Sequence, residues 1–564
     1  MEKGRALQWN MRNRRQFLLE ACIVVAGVAA SPLAFAAKQQ TRGLQKMRGL
    51  MVDAARLPET LAYYRRVIEF CSEWEFNTLH FRLTDDQGSA LRFTSVPDLV
   101  NHDHAFTPDQ LRGLVEYGAS HGVDLIPEVE SFGHTGFITR SPTYAHLSDS
   151  DPVHGEAEFT GIIPVDPQTL PLFEKLYREV ATIFSSAYLH GGCDEVNWGG
   201  SALSRAALQT KGRAEVWAEY LNALHGISAA LGKQFIVWGD FVLHKEPQIL
   251  ERLDKKIVIM DWNYADNSSA KFRDALEKVS AHGSRAIGAP ALTCYRWGPR
   301  VGAEQLRNID AVADAYFPSD DPNALGVILT NWVPSRYVQN SIWDGFAYAA
   351  VAFQQGTATA HASGFRRFVE KHYRAQWNEM WDEAFALIYS EAPYRQEKET
   401  STWMGLSLPL PWSSDAQLKA VLQDATPRAN PFTHLRALLV QLEPLVMNNL
   451  SDFQAFALSV EYLERMFWRE AVVVAQASHS ALTQEASDLL IHSIAERDQQ
   501  LLMALTADWD RGRFPDSPAK HEAIFLLEPR DQLLYQWSLA SAFSASLAEQ
   551  PKRFYQLLQG EQAN

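Results

Sequence analysis

Cysteine is scarce: the 564-residue chain holds four. Cys22 lies in an N-terminal apolar run with no lipobox-like sequence before it. Cys71, Cys193 and Cys294 are an odd set whose spacing fits no zinc pattern. Neither a disulfide framework nor a structural zinc site is expected. Positive charge is also in deficit, with a formal net charge of -15. That argues against nucleic acid and against an anionic membrane surface as general partners. The longest apolar run, 21–36, is about 16 residues against the ~20 of a bilayer span, and it contains Gly27 and Pro32. A glycine-rich phosphate turn, an internal repeat and a long heptad run are missing too.

What is present begins with a targeting segment. Arg14 and Arg15 are followed by Phe17, Leu18 and Leu19, then by the apolar run, then by Ala34-Phe35-Ala36. Residues 1–37 resemble a bacterial twin-arginine export signal with an A-x-A cleavage pattern; an uncleaved anchor helix is the alternative. The expectation is a periplasmic or secreted protein with no stable membrane anchor after cleavage. Hydrophobic residues make up 46% of the chain, so the rest reads as globular.

From residue 42 to 358, short β-rich runs alternate with amphipathic stretches. Strands are predicted at 48–54, 77–83, 123–129, 187–192, 234–239, 256–262, 285–292 and 326–332. Helices are predicted at 58–74, 108–121, 168–185, 213–231, 245–254, 269–282, 302–316 and 341–355. The strands are nearly continuously apolar, as parallel strands covered on both faces should be. Eight such units make an α/β chain with a (β/α)8 TIM barrel; a doubly wound open sheet is the alternative. Residues 359–564 form a mostly α-helical C-terminal region, with a linker near 401–415.

Barrel chemistry sits at the C-terminal strand ends. Those ends hold Asp53, Asp85, Asp86, Glu128, Glu130, Asp194, Glu195, Trp238, Asp240, Asp261, Trp262, Tyr295, Asn331 and Trp332. Acids among Trp and Tyr suit a carbohydrate pocket. The pair Asp194-Glu195, in "LHGGCDEV", is either an acidic surface turn or two carboxyls with separate tasks. Adjacent residues are poorly placed to flank one glycosidic bond from both sides. They suit a mechanism in which the substrate supplies its own nucleophile.

"LHGGCDEV" resembles the H-x-G-G-D-E motif of glycoside hydrolase family 20, the β-N-acetylhexosaminidases, with Cys193 in place of a glycine. "MRGLMVDAAR" (47–56), "LHFRLTDDQG" (79–88), "IPEVESFGH" (126–134), "IVWGD" (236–240), "IMDW" (259–262), "TCYRW" (293–297) and "ILTNW" (328–332) resemble other segments of that family, in its order. The resemblance covers about residues 44–355. It implies Glu195 as general acid and then base, and Asp194 as the group that orients the substrate 2-acetamido group. It implies Tyr295 as donor to the acetamido oxygen, Trp238, Trp262 and Trp332 as pocket walls, and Arg48 as a ligand of sugar hydroxyls. His134, with Asp85 or Asp86, would be a relay behind Glu195. Glu128 and His190 would be supporting residues. No metal and no cofactor is implied. Two positions depart from the family: Trp297 and Pro334 stand where acids commonly read the outer hydroxyls at C4 and C6, and Trp297 is expected among the substrate-binding residues.

The expected function is a retaining exo-β-N-acetylhexosaminidase acting on a glycan with terminal GlcNAc or GalNAc. The alternative is a catalytically impaired carbohydrate-binding protein. A homodimer built by the helical C-terminal region is a third expectation. Other features have plainer readings: His102 and His104 as a loop, Cys193 as a small buried hydrophobe, Arg65-Arg66 as a helix face. Asp240 is open between a pocket acid and a helix cap.

Overall fold

The computed structural model describes residues 46–149, 161–294, 302–334, 337–390, 431–477 and most of 497–514. Tyr295, Trp297, the targeting segment and the 401–415 linker lie outside the described residues. From Met47 onward the described elements form one compact unit.

The eight predicted strands are all present. They are β1 (Met47–Asp53), β2 (Thr78–Arg82), β3 (Asp124–Glu128), β4 (Tyr188–His190), β5 (Gln234–Trp238), β6 (Val258–Asp261), β7 (Arg285–Gly288) and β8 (Ala324–Asn331). Each pairs in parallel with the next, and β1 pairs with β8 from Met47↔Gly326 to Leu50↔Leu329, which closes the barrel. A short strand, Ala291–Thr293, extends the edge of β8. Strand alternation builds two cores. Leu50, Leu79, Phe81, Leu125, Phe235 and Val327 face the helices. Met51, Ile126, Ile236, Trp238, Met260 and Ile328 fill the barrel interior. The same alternation sends Asp53, Arg82, Glu128 and His190 inward in one laterally paired row. The upper interior is therefore polar, over an apolar floor.

Most helices fall close to their predicted bounds; Ser269–His282 matches throughout. The predicted helix 245–254 is instead a π-helical turn, Asp240–Lys245, followed by a 3-10 helix, Pro247–Arg252. His102 and His104 lie in a strand rather than a loop. Asn101–Phe106 joins Thr84–Asp85 and Gly88–Leu91 in a small sheet inserted after β2. Helices Trp343–Gln355, Thr357–Phe368, Glu379–Ile388 and Leu450–Ala477 follow along the C-terminal part. Arg66 is more than a helix face. It pairs with Asp452, which also accepts from His372 at 2.8 Å, so it ties the barrel to that C-terminal region. No helix of the described residues is long and apolar enough to cross a membrane.

Candidate active site

The loop after β4 carries Asp194 and Glu195, and tight backbone geometry shapes it. Gly192 has φ +66°, and a Cβ there would lie 1.9 Å from Glu130 Oε2. A Cβ on Gly133 would lie 2.1 Å from the Asp194 carbonyl oxygen, so the loops after β3 and β4 meet backbone to backbone. His134 (φ +50°), Cys193 (+75°), Glu195 (+46°) and Val333 (+51°) occupy the left-handed region without being glycine. Such strain persists only where the surroundings hold it. Here the Glu195 N–H donates to Asp240 Oδ2 at 3.2 Å, and the Cys193 N–H donates to Glu130 Oε2 at 3.1 Å. Asp240 also pairs with Lys245 at 3.0 Å, so it braces the loop and neither caps a helix nor lines the site alone. Cys193 is buried and its thiol is pushed far up by burial, which suits an inert small side chain.

His134 links the acid pair to a charge network. Its Nδ1 lies 3.3 Å from Asp85 and 3.4 Å from Asp86; its Nε2 lies 3.3 Å from Glu195 and 4.0 Å from Asp194. Burial disfavours the imidazolium, yet the Asp85 charge and these hydrogen bonds hold its pKa well above the ordinary histidine value. Asp85 also pairs with Arg56 at 3.0 Å and Arg82 at 2.8 Å. Burial alone would raise its carboxyl, but those guanidinium charges hold it low. Arg82 donates to Glu130 at 2.6 Å. Glu128 accepts from Trp238 Nε1 at 2.8 Å and lies 2.9 Å from His80 and 3.7 Å from His190. His190 is driven down to about 3 by burial, so it is neutral and acts as a supporting ring against Trp238.

The two neighbouring acids differ. Asp194 is buried, and loss of solvation lifts its pKa to about 7 despite nearby His134 and Arg82. The Glu195 side chain is 37% exposed. Burial of its remainder pushes it up, but the hydrogen bond and charge of His134 win and lower it.

Aromatic rings line the same strand ends. The ring centres of Trp332 and the buried Trp238 are 5.6 Å apart, with their planes tilted by 46°. Arg56 and Arg82 sit 5.3 and 4.9 Å from the Trp332 ring centre, a cation–π arrangement. Trp332 Nε1 donates to Tyr264 at 2.8 Å, and Tyr264 packs on the half-buried Trp262 at 5.0 Å. The structure thus gathers Asp85, Asp86, Glu128, His134, His190, Asp194, Glu195, Trp238 and Trp332 at one mouth, with Trp262 on its rim.

Arg48 is the exception. It lies at the opposite, N-terminal end of β1, on the strand face away from the interior. Its Nε donates to the Glu75 carbonyl at 3.0 Å. Among the described residues, Arg56 and Arg82 bring guanidiniums to Asp85 and Trp332 instead. Arg56 was visible as the last residue of "MRGLMVDAAR", and Arg82 as an inward position on β2. Nothing in the sequence marked Tyr264 or Lys245.

Residues 46–305 match the family model "Glycosyl hydrolase family 20, catalytic domain". The Vibrio furnissii beta-hexosaminidase is 26% identical over 248 residues, 38% of this chain and 40% of that protein. Beta-hexosaminidase subunit beta of Mus musculus is 26% identical over 207 residues, covering 34% and 38%. The Akkermansia muciniphila beta-hexosaminidase is 28% identical over 206 residues, covering 33% and 41%. The chain thus spans well under half the length of these curated relatives. The crystal structure of an exo beta-N-acetylglucosaminidase from Vibrio harveyi, in complex with N-acetylglucosamine, superposes with a TM-score of 0.42 at 21% identity, covering 56% of this chain and 54% of that one.

Proposed function

Residues 46–305 are a divergent family 20 glycosyl hydrolase catalytic domain, and from that premise we propose that the protein is a retaining exo-β-N-acetylhexosaminidase. The observation that carries the reading is the adjacent pair of unlike acids, Asp194 buried and Glu195 half open, both facing His134.

In the proposed reaction Asp194 accepts a hydrogen bond from the substrate acetamido N–H. That turns the acetamido oxygen toward the anomeric carbon. Glu195 gives its proton to the leaving oxygen as the glycosidic bond breaks and the acetamido oxygen bonds to C1. Glu195, now a carboxylate, takes a proton from water, which attacks C1 and reopens the ring. The configuration is retained and the acetamido group is restored. The free protein holds Glu195 low and Asp194 near 7. A sugar over Glu195 removes its water and raises its pKa, and the anion at Asp194 raises it further. Trp238, Trp262 and Trp332 would enclose the acetamido methyl and the sugar face, with Tyr295 as a donor. The twin-arginine-type segment would place this activity in the periplasm or outside the cell.

A panel of aryl β-GlcNAc, β-GalNAc, 6-sulfo-β-GlcNAc and β-glucose substrates tests the reading. The acetamido sugars should turn over and glucose should not. Pro334 and Trp297, in place of outer-hydroxyl acids, leave the choice among the acetamido sugars to the assay. Glu195→Gln should lower kcat by about 10²–10⁴-fold. Equal hydrolysis of glucose, or an unaffected Glu195→Gln, would sink the mechanism. The low pKa of free Glu195 favours a second reading, a sugar-binding protein without turnover. Calorimetric binding of N-acetylglucosamine with no hydrolysis would select it.

A further inference from the structure

The described C-terminal residues end against the catalytic mouth. Arg513 is buried, and its Nε donates to Glu59 at 2.9 Å in the loop after β1. Its Nη2 donates to the Pro334 carbonyl at 2.8 Å and its Nη1 to the Tyr337 carbonyl at 3.4 Å, both beyond β8. The other Glu59 oxygen accepts from Gln339 at 2.7 Å. Gly512 is pressed so close that a Cβ there would lie 2.1 Å from Gln339 Oε1. Beneath the guanidinium lies the Trp509 ring, 4.4 Å from its centre, and Trp509 packs on Leu57. Phe514 stacks on His104 of the inserted sheet at 4.3 Å.

These contacts converge where β1 meets β8. Two residues before Pro334 stands Trp332, whose ring covers Arg56 and Arg82. Between them Val333 holds φ +51°, with its N–H on Asp53 at 3.1 Å; Asn340 is also left-handed, at φ +67°. Left-handed residues of this kind relax unless pinned, and a planar guanidinium bonding two carbonyls and a carboxylate at once is a rigid pin.

We propose that Arg513 is a positioning residue of the substrate site: it clamps the loop after β8 to the loop after β1 and so fixes the Trp332 wall. It touches no substrate. The C-terminal helical region thereby completes the pocket on the side where Pro334 replaces an outer-hydroxyl acid. The effect on sugar affinity rests on the hexosaminidase reading; the clamp does not.

The test compares Arg513→Met, Arg513→Lys and the double variant Glu59→Gln/Arg513→Met, each in the full chain. The double variant leaves no unpaired buried charge, so it keeps a folded sample where the single one does not. A shifted wall weakens ground state and transition state alike. On the best aryl substrate of the panel, KM should therefore rise about fivefold or more, with kcat within about twofold. Amide exchange in 332–334 and 337–340 should quicken about tenfold while β3 to β6 stay protected. Lysine, a compact charge without the planar fork that spans these acceptors, should restore part of both. Unchanged KM and unchanged exchange in a folded double variant would overturn the proposal, as would a fall in kcat alone. If the wild-type protein hydrolyses no acetamido sugar, the functional reading fails by itself, and the exchange rates still decide the clamp.

Discussion

Glu195 and Asp194 are covalent neighbours in different surroundings, and His134 is the group both of them face. Its imidazolium lowers the pKa of each acid. Replacing it with a neutral amide removes a positive charge, so both carboxyls must move up. His134→Gln should therefore displace the pH profile of kcat/KM to higher pH as a whole, besides reducing its height. An acid limb that stays in place would show that His134 is neutral in the working protein. The profile reports the pair rather than either carboxyl, since the two titrate together.

At the scale of elements, the turn between β4 and the acids depends on the absence of a side chain at Gly192. Gly192→Ala should cost about 1–3 kcal/mol by urea unfolding, because its Cβ would strike the buried Glu130 carboxyl. Gly232, with φ +74° at the end of helix Arg213–Ala230 and nothing within 4 Å of its would-be Cβ, is the control; alanine there should cost only the left-handed backbone term of roughly 1 kcal/mol. The barrel strands were legible because both their faces are buried and the apolar runs are nearly continuous. The strand Asn101–Phe106 was not: "NHDHAF" is mostly polar and lies half exposed at the mouth. Helix Ala202–Lys211 went unseen for a similar reason, since Ser204 is its only fully buried residue. In the site, motif spacing located the acids but misjudged Arg48. Strand parity separates Arg48 from Asp53, and Arg48 stands near the start of β1, the end away from the chemistry, so the predicted strand argued against the role that the motif suggested. Arg513 was out of reach of any local pattern, because its partners lie at the two ends of the barrel sequence.

For the whole molecule, opposing groups set the dependence of stability on pH. Asp85 and Glu128 are held low in the fold: burial would raise them, but their cationic partners win. Burial brings His190 to about 3. The unfolded chain takes up these protons first as pH falls, so stability drops on the acid side. Asp194 is raised to about 7 by burial, Glu130 is raised by burial and by Asp194, and His134 is raised against burial by Asp85. The native state keeps these protons longest as pH rises, so stability drops on the alkaline side as well. Between ~4 and ~6.5, His190 and Asp194 offset each other and Glu130 tilts the balance toward acid. The urea midpoint should peak near about pH 5. A peak above pH 7 would mean that Asp194 and Glu130 are ionised in the folded protein.

The bond from Val333 to Asp53 joins residues 280 apart in sequence. Pairing of β1 with β8 therefore closes a loop that contains nearly the whole barrel, and loop-closure entropy delays such a contact until the intervening strands are in place. Trp332, Arg56 and the Asp53 contact acquire their geometry only at that step. In time as well as in space the mouth comes last: a refolding chain should regain its helical signal well before it regains a competent site, and variants that slow closure should accumulate a strand-rich, inactive intermediate.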